Sequence, residues 1–344
     1  MKAGKTLVDL ATELQNQLKT KKDYIAMTSV LTMSPELKVT GVNGNQFGVT
    51  KYAHGQLAGK LGIPKQYYDR MLQEAPELLA HNVNAWFQKN PEKRMIRTIN
   101  NNIRAYLSDR YRPIDNYDLA EHVLPKIQKM GCKIESCELT ETRMYIKAVT
   151  PKVQFEVQKG DMVQAGLVIS NSEVGAGSVK IEPLIYRLVC LNGMIAADSS
   201  LRKYHTGRYT EQLGEAVELF SKKTLVADNK AFFMKVVDIV DAVFQEDSFK
   251  GIVSRMQDAT KRPIEKDPVK LIEDVTKRFQ LREEEAGGVL KHLINGGALS
   301  QYGLMNAMTR TSQDIEDYDR ATEFERMGGD VLELGKEEWE KIAG

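Results

Sequence analysis

The sequence predicts an α+β fold: an antiparallel, meandering sheet with helices packed on one side, a helical lead-in before it and an all-helical region after it. Two observations carry this. From about residue 51 to 90, and again beyond about 211, apolar residues recur at spacings of three and four, the signature of one buried helix face. Between these stretches, short runs alternate apolar and polar side chains with the period of two that a half-buried strand requires.

Taken in order, residues 1–90 read as a helical N-terminal region. "MKAGKTLVDLATELQNQLKT" is an amphipathic helix pattern, followed by the polar connection "TGVNGNQFGVT". Over 51–90 the pattern is helical again. Pro64 suits the first turn of a new helix after Gly62, and Leu57, Leu61, Tyr67, Met71 and Leu72 form the packing face.

Residues 91–210 read as the α+β core. A strand at about 94–112 leads to a helix at about 116–130, with Asp115 or Asn116 as N-cap. Strands follow at about 132–139, 142–149, 152–158 and 162–170. Gly175 and Gly177 permit a tight turn in "SNSEVGAGSV", for which a hairpin or an oligomer contact is expected. "KIEPLIYRLVCLNGMIA" is compatible with a strand running into a buried helix, and periodicity alone does not arbitrate. Residues 211–344 read as a helical domain with an acidic end.

The 344 residues are 42% hydrophobic and 28% charged, the composition of an ordinary globular protein. Formal net charge is +1, so any attraction for a polyanion must be local. Charge does separate along the chain: residues 94–208 carry 17 Lys and Arg against 12 Asp and Glu, whereas 300–344 carry 5 against 11. No apolar run approaches the roughly 20 residues that span a bilayer, and the polar start is unlike a secretory signal. A cytoplasmic location in a bacterial host cell is expected. Cys132, Cys137 and Cys190 suggest no disulfide framework.

Chemistry-bearing patterns are few. "SNSEVGAGSV" lacks the Gly-Lys-Ser/Thr ending of a phosphate loop, the five histidines lack ligand-pair spacing, and no nucleophile elbow is present. Neither an enzyme nor a cofactor is expected, and no metal. What stands out is the pairing of basic and aromatic residues. Arg104, Tyr106 and Arg110, with Arg112 just beyond, fall on one face of the first strand; Arg143, Tyr145 and Lys147 fall on one face of another. Arg202, Lys203 and Arg208 follow in the cationic connection "LRKYHTGRY". Such residues contact phosphates and stack on bases. The competing reading is a solvated sheet surface, since antiparallel strands carry long polar residues outward and tyrosine suits strands. Arg187, inside "LIYRLVC", calls for a carboxylate partner, Glu182 or one distant in sequence.

Three blocks, "RYRPIDNYDLAEHVLP", "AGLVISNSEVGAGSVKIEPLIYRLVCLNGMI" and "LSQYGLMNAMTR", resemble a phage- and plasmid-borne family described as domain of unknown function 932. The resemblance runs from about residue 50 to about 330, with Cys190, Asn192, Gly193 and Met194 matching one motif and Asn306, Ala307 and Thr309 another. It implies a mobile-element setting but no particular activity. The order of elements is also similar to that of Rad52-like single-strand annealing proteins, an architectural analogy. The expected function is therefore single-stranded DNA binding, with strand annealing as a possible extension, in recombination or replication. The expected partners are single-stranded DNA, further copies of the chain, and a replication or recombination protein met through the acidic C-terminal helices. The alternative is a non-enzymatic interaction factor of a mobile element, for host takeover or anti-defence, that binds no nucleic acid. The first predicts that the two basic strands are neighbours and form one continuous positive face; the second predicts an exposed apolar patch, expected on the C-terminal helices.

Overall fold

Thr6 opens the first helix, α1 (Leu7–Thr20): its hydroxyl accepts the Asp9 amide N–H at 3.2 Å while the Asp9 carboxylate accepts the Thr6 N–H at 3.3 Å, a reciprocal cap. The structure, a computed structural model, describes residues 1–42, 44–196 and 222–344, without the side chains of 222–229. The α+β class holds, with an antiparallel meandering sheet, helices near the N-terminus and an all-helical C-terminal region. A second sheet joins it, because the first 90 residues contribute strands as well as helices.

That sheet contains β1 (Lys22–Met27), β2 (Thr32–Met33), β3 (Val39–Val42), β4 (Asn45–Val49), β5 (Lys93–Ile99) and β6 (Asn102–Ser108), in the order β1-β5-β6-β4-β3-β2. Only the β4–β6 pair is parallel. The helices α2 (Lys51–Lys60), α3 (Lys65–Glu74) and α4 (Pro76–Lys89) bury Leu57, Met71, Val83 and Phe87 against Ile96, Ile103 and Tyr106. Tyr68 is the inward-facing tyrosine of α3, and Tyr67 is exposed, one position from expectation.

The expected strand at 94–112 is instead the β5–β6 hairpin. Asn100 and Asn101 sit at φ 46° and 61°, the left-handed conformation required at both central positions of a type I′ turn and tolerated well by asparagine. The hairpin contains a bulge. Arg97 pairs with Ala105 but Thr98 pairs with Ile103, so Arg104 is the extra residue. Strict alternation would put Ile103, Ala105 and Leu107 on one face, but the bulge inverts it: Ile103 and Tyr106 join the helix-covered core, while Ala105 and Leu107 face the other way.

The second sheet is a meander of β7 (Lys133–Leu139), β8 (Met144–Gln158), β9 (Asp161–Asn171), β10 (Lys180–Arg187) and β11 (Asn192–Ile195). The strands expected at 142–149 and 152–158 are one strand with an irregularity between Thr150 and Gln154. "KIEPLIYRLVCLNGMIA" is a hairpin rather than a strand and helix, with Leu191 at φ 53° in the turn. Met144, Ile146 and Ala148 share a core with Leu119, Val123 and Ile127 of α5 (Asn116–Lys129), while Tyr145 and Val149 on the opposite face pack with Tyr318 of α11 (Tyr318–Leu332). Helices therefore cover both faces of this sheet, correcting the one-sided packing expected. The remaining helices are α6 (Lys222–Val243), α7 (Glu246–Thr260), α8 (Pro268–Phe279), α9 (Glu283–Gly296), α10 (Gln301–Thr311) and α12 (Lys336–Ala343). No helix among the described residues is long and apolar enough to cross a membrane.

Two predictions follow from this packing. A Cβ on Gly329 of α11 would lie 2.1 Å from the backbone oxygen of Ile195. Gly329→Ala is expected to destabilise by about 1–3 kcal/mol through overpacking, read as a lower urea midpoint. His54 of α2 is buried with its Nδ1 2.8 Å from the Tyr68 hydroxyl, and burial holds its pKa down to about 4. The folded value lies below the unfolded one, so the unfolded chain takes up a proton first as pH falls from about 6.5 to about 4. Stability should therefore fall across that window, by up to about 3 kcal/mol, and His54→Phe should flatten the dependence in urea titrations at pH 7 and 5.

Candidate functional site

The two sheets meet through buried charge. Arg97 of β5 is fully buried: its Nε donates to Asp23 at 2.8 Å, Nη2 to Asp115 at 2.7 Å and Nη1 to the backbone oxygen of Glu173 at 2.8 Å. The Glu173 carboxylate lies 2.6 Å from Arg104 Nη1, an ion pair out of hydrogen-bond alignment, and 3.0 Å from Lys21 Nζ. It also accepts the Asn116 N–H at 2.6 Å, at the start of α5. Lys21 reaches Asp115 at 2.8 Å. Lys21, Arg97 and Arg104 thus oppose Asp23, Asp115 and Glu173, so the formal charges balance. Asp115 is the residue before α5, but its side chain caps no amide and joins this network instead; although burial opposes ionisation, Arg97 and Lys21 hold its pKa below the usual carboxylate range.

The segment after β9, from Ser172 to Ser178, lies over this network and is fixed from several directions. Ser172 Oγ accepts the Val174 and Ala176 N–H groups at 3.3 and 2.9 Å. The Tyr111 hydroxyl donates to the Ser172 oxygen at 3.1 Å, and Gln56 Nε2 donates to the Val174 oxygen at 2.8 Å. Arg143 donates to the Ala176 oxygen. Gly175 is left-handed, at φ +80°, and a Cβ there would sit 2.7 Å from Leu107 Cδ2. A Cβ at Gly177 would lie 2.6 Å from the Arg143 guanidinium. The loop joins the antiparallel strands β9 and β10, the hairpin that was expected, and packs against the first sheet.

Between this loop, α2 and the 108–114 turn lies a cleft of about 630 Å³. Leu107, Tyr111, Ile114 and Val179 give it apolar walls; Gln56, Asn171, Ser172 and Ser178 add polar groups, and Lys60 and Arg112 supply two cations. No carboxylate among the described residues lines it. Arg112 also has a partner within the chain.

The predicted site residues divide accordingly. Arg104, Tyr106, Arg112 and Arg143 gather around the cleft and its loop, but not as an outward strand face. Arg104 is buried against Glu173, and the Tyr106 ring is buried beside Phe87, where burial pushes its hydroxyl up to about 12. Arg110 is exposed next to the cleft. Tyr145 and Lys147 belong elsewhere. Both are buried under α11, with Lys147 Nζ 2.6 Å from Glu325 and 4.6 Å from the centre of the Tyr318 ring. The first basic strand lies in one sheet and the second in the other, so the continuous platform does not form. Arg202, Lys203 and Arg208 lie outside the described residues.

Of the two partners expected for Arg187, the carboxylate distant in sequence is the one found. Arg187 pairs with Asp161, at 2.7 and 2.8 Å, and Glu182 pairs instead with Arg326. Much of the acidic C-terminal charge is engaged within the chain: Glu325 with Lys147, Glu333 with Arg255, Glu338 with Arg278, and Asp319 accepting from Thr140 and Thr142. Sequence reasoning missed Lys60, Tyr111 and the buried partners Lys21, Asp23, Arg97 and Glu173. The available signal was Arg97 within the apolar run "MIRTI", a cation where a strand should be buried.

A two-sheet α+β protein with a cationic, apolar-walled cleft at the sheet junction is the class that fold and site define. The chain belongs to the family described as a domain of unknown function (DUF932), whose model matches residues 105–327. That range takes in the cleft loop, the 108–114 turn and, of the buried network, Asp115 and Glu173. No curated protein and no solved structure matches the chain.

Proposed function

We propose that the chain binds single-stranded nucleic acid, DNA in the first instance, with the cleft between the sheets as the anchoring point. The lining of the cleft supports this reading: Lys60 and Arg112 provide phosphate chemistry, Tyr111 and Ile114 provide surfaces for a base, and no carboxylate among the described residues lines the cleft. Arg110, exposed beside the cleft, and the sequence cations Arg202, Lys203 and Arg208 would meet flanking phosphates. Binding in this reading needs no ATP and weakens as salt rises. The mobile-element resemblance supports a role in phage or plasmid recombination or replication within the bacterial cytoplasm, and annealing by a homo-oligomer is the extension we propose.

The test is fluorescence anisotropy with labelled single-stranded and duplex DNA of about 40 nucleotides, at several salt concentrations. Lys60→Ala/Arg112→Ala is expected to weaken single-strand binding at least about tenfold and to flatten the slope of log K against log salt by about 1.4. No binding at micromolar protein in low salt, or binding identical in the double variant, would overturn the proposal.

The alternative, an interaction factor, is supported by a different feature. β1 is an edge strand, and Ile25, Met27 and Val30 on or beside it are exposed. On the C-terminal side, exposed Met234, Val269, Ile294 and Leu299 are spread over separate elements. A pull-down whose capture is abolished by Ile25→Lys, in a chain that binds no oligonucleotide, would favour this second reading.

A further inference from the structure

We infer that the cleft is the seat of a single nucleotide, its base against Tyr111 and Ile114 and its phosphate at Lys60 and Arg112. This rests on the nucleic-acid reading above and specifies what part of the strand the cleft recognises. Size is the first argument. About 630 Å³ falls within the roughly 300–1,000 Å³ of cavities that enclose one small ligand, whereas an extended strand needs a continuous groove.

Charge is the second. Lys60 and Arg112 line the cleft, and Arg112 also has a partner within the chain; this cationic lining suits one phosphate at most, whereas strand binding through the backbone engages a series of phosphates. The cleft would therefore hold one unit of the strand while cations outside it meet the rest.

Rigidity is the third. Tyr111 is fixed by its hydrogen bond to Ser172, and the loop it meets is held by Gln56 and Arg143 and, through Glu173, by the balanced network. A preformed wall carries little ordering cost on binding, which suits a small ligand making few contacts. The Ser178 hydroxyl lies among the apolar walls, where a base edge requires a hydrogen-bond partner.

The test is isothermal titration of the full chain with dAMP, dCMP, dGMP and dTMP, with thymidine and inorganic phosphate as controls. At least one mononucleotide should bind in the sub-millimolar range, about tenfold or more tighter than thymidine or phosphate, and should displace a labelled oligonucleotide. Lys60 is exposed, so Lys60→Ala leaves the fold intact and should weaken the nucleotide about tenfold while leaving thymidine unchanged. Mononucleotides binding no tighter than phosphate would overturn the inference. If oligonucleotides still bind and lose affinity in Lys60→Ala/Arg112→Ala, strand binding stands and only the single-nucleotide seat falls. If mononucleotides bind but oligonucleotides do not, the seat stands and strand binding falls; if neither binds, both fall.

Discussion

Replacing Glu173 by alanine is expected to destabilise the chain by about 3–5 kcal/mol, the range for removing one partner of a buried ion pair. Its carboxylate is 3% exposed and faces Arg104, Lys21 and the first amide of α5 at once. Without it, Arg104 keeps a buried guanidinium whose Nε and Nη2 already have no hydrogen-bond partner, and three buried cations face two carboxylates. Guanidinium unfolding followed by circular dichroism measures the loss. Glu173→Gln should fall between wild type and alanine, since the amide oxygen can still accept the Asn116 N–H. A loss below about 1 kcal/mol would mean that the network behaves like an exposed one.

Lys147→Met is the second large effect, and it separates two readings of the same residue. As part of a DNA platform, Lys147 would be dispensable for folding and needed for binding. In the structure it is fully buried against Glu325, which is also fully buried, and burial pushes the lysine pKa down while Glu325 pushes it back up. The single variant strands a carboxylate in the core and should cost about 3–5 kcal/mol. Lys147→Met/Glu325→Leu should recover most of that loss, because a buried ion pair is often replaceable by well-packed apolar residues. Folded double variant should bind oligonucleotide as wild type does. Loss of binding without loss of stability would return Lys147 to the binding surface.

The class of fold was readable because it depends on periodicity: the meander from β7 to β9 lies close to the runs that alternate apolar and polar residues, and the C-terminal helices where spacings of three and four occur. What was not readable depends on single residues and on tertiary pairing. The Asn100–Asn101 turn split one expected strand in two, and the bulge at Arg104 changed the parity of the other half, so a pattern that looked half solvated is buried on both sides. The family resemblance was legible from motifs such as Asn192-Gly193-Met194, and the matched range of 105–327 lies within the stretch those motifs span. The site was legible only in part. Arg112 and Arg143 lie where the cleft forms, but their neighbours Lys60, Gln56 and Glu173 come from distant segments, and no local pattern announces a charge network closed by tertiary contact.

The path of the chain between the two halves has a consequence for cooperativity. Leu10 and Leu14 of α1 complete the core of the second sheet, while β1 pairs with β5 in the first. A single residue, Lys21, separates that helix from that strand, and it is itself held by Asp115 and Glu173. Neither half can be excised without cutting into the other. A fragment beginning at residue 105 would start inside β6 and lack α1, leaving an open strand and an uncovered core. Proteins with two separate cores often melt in two steps; here the interwoven chain ties them into one unit, so heating should give a single transition, and loosening the Lys21 junction should split it into two.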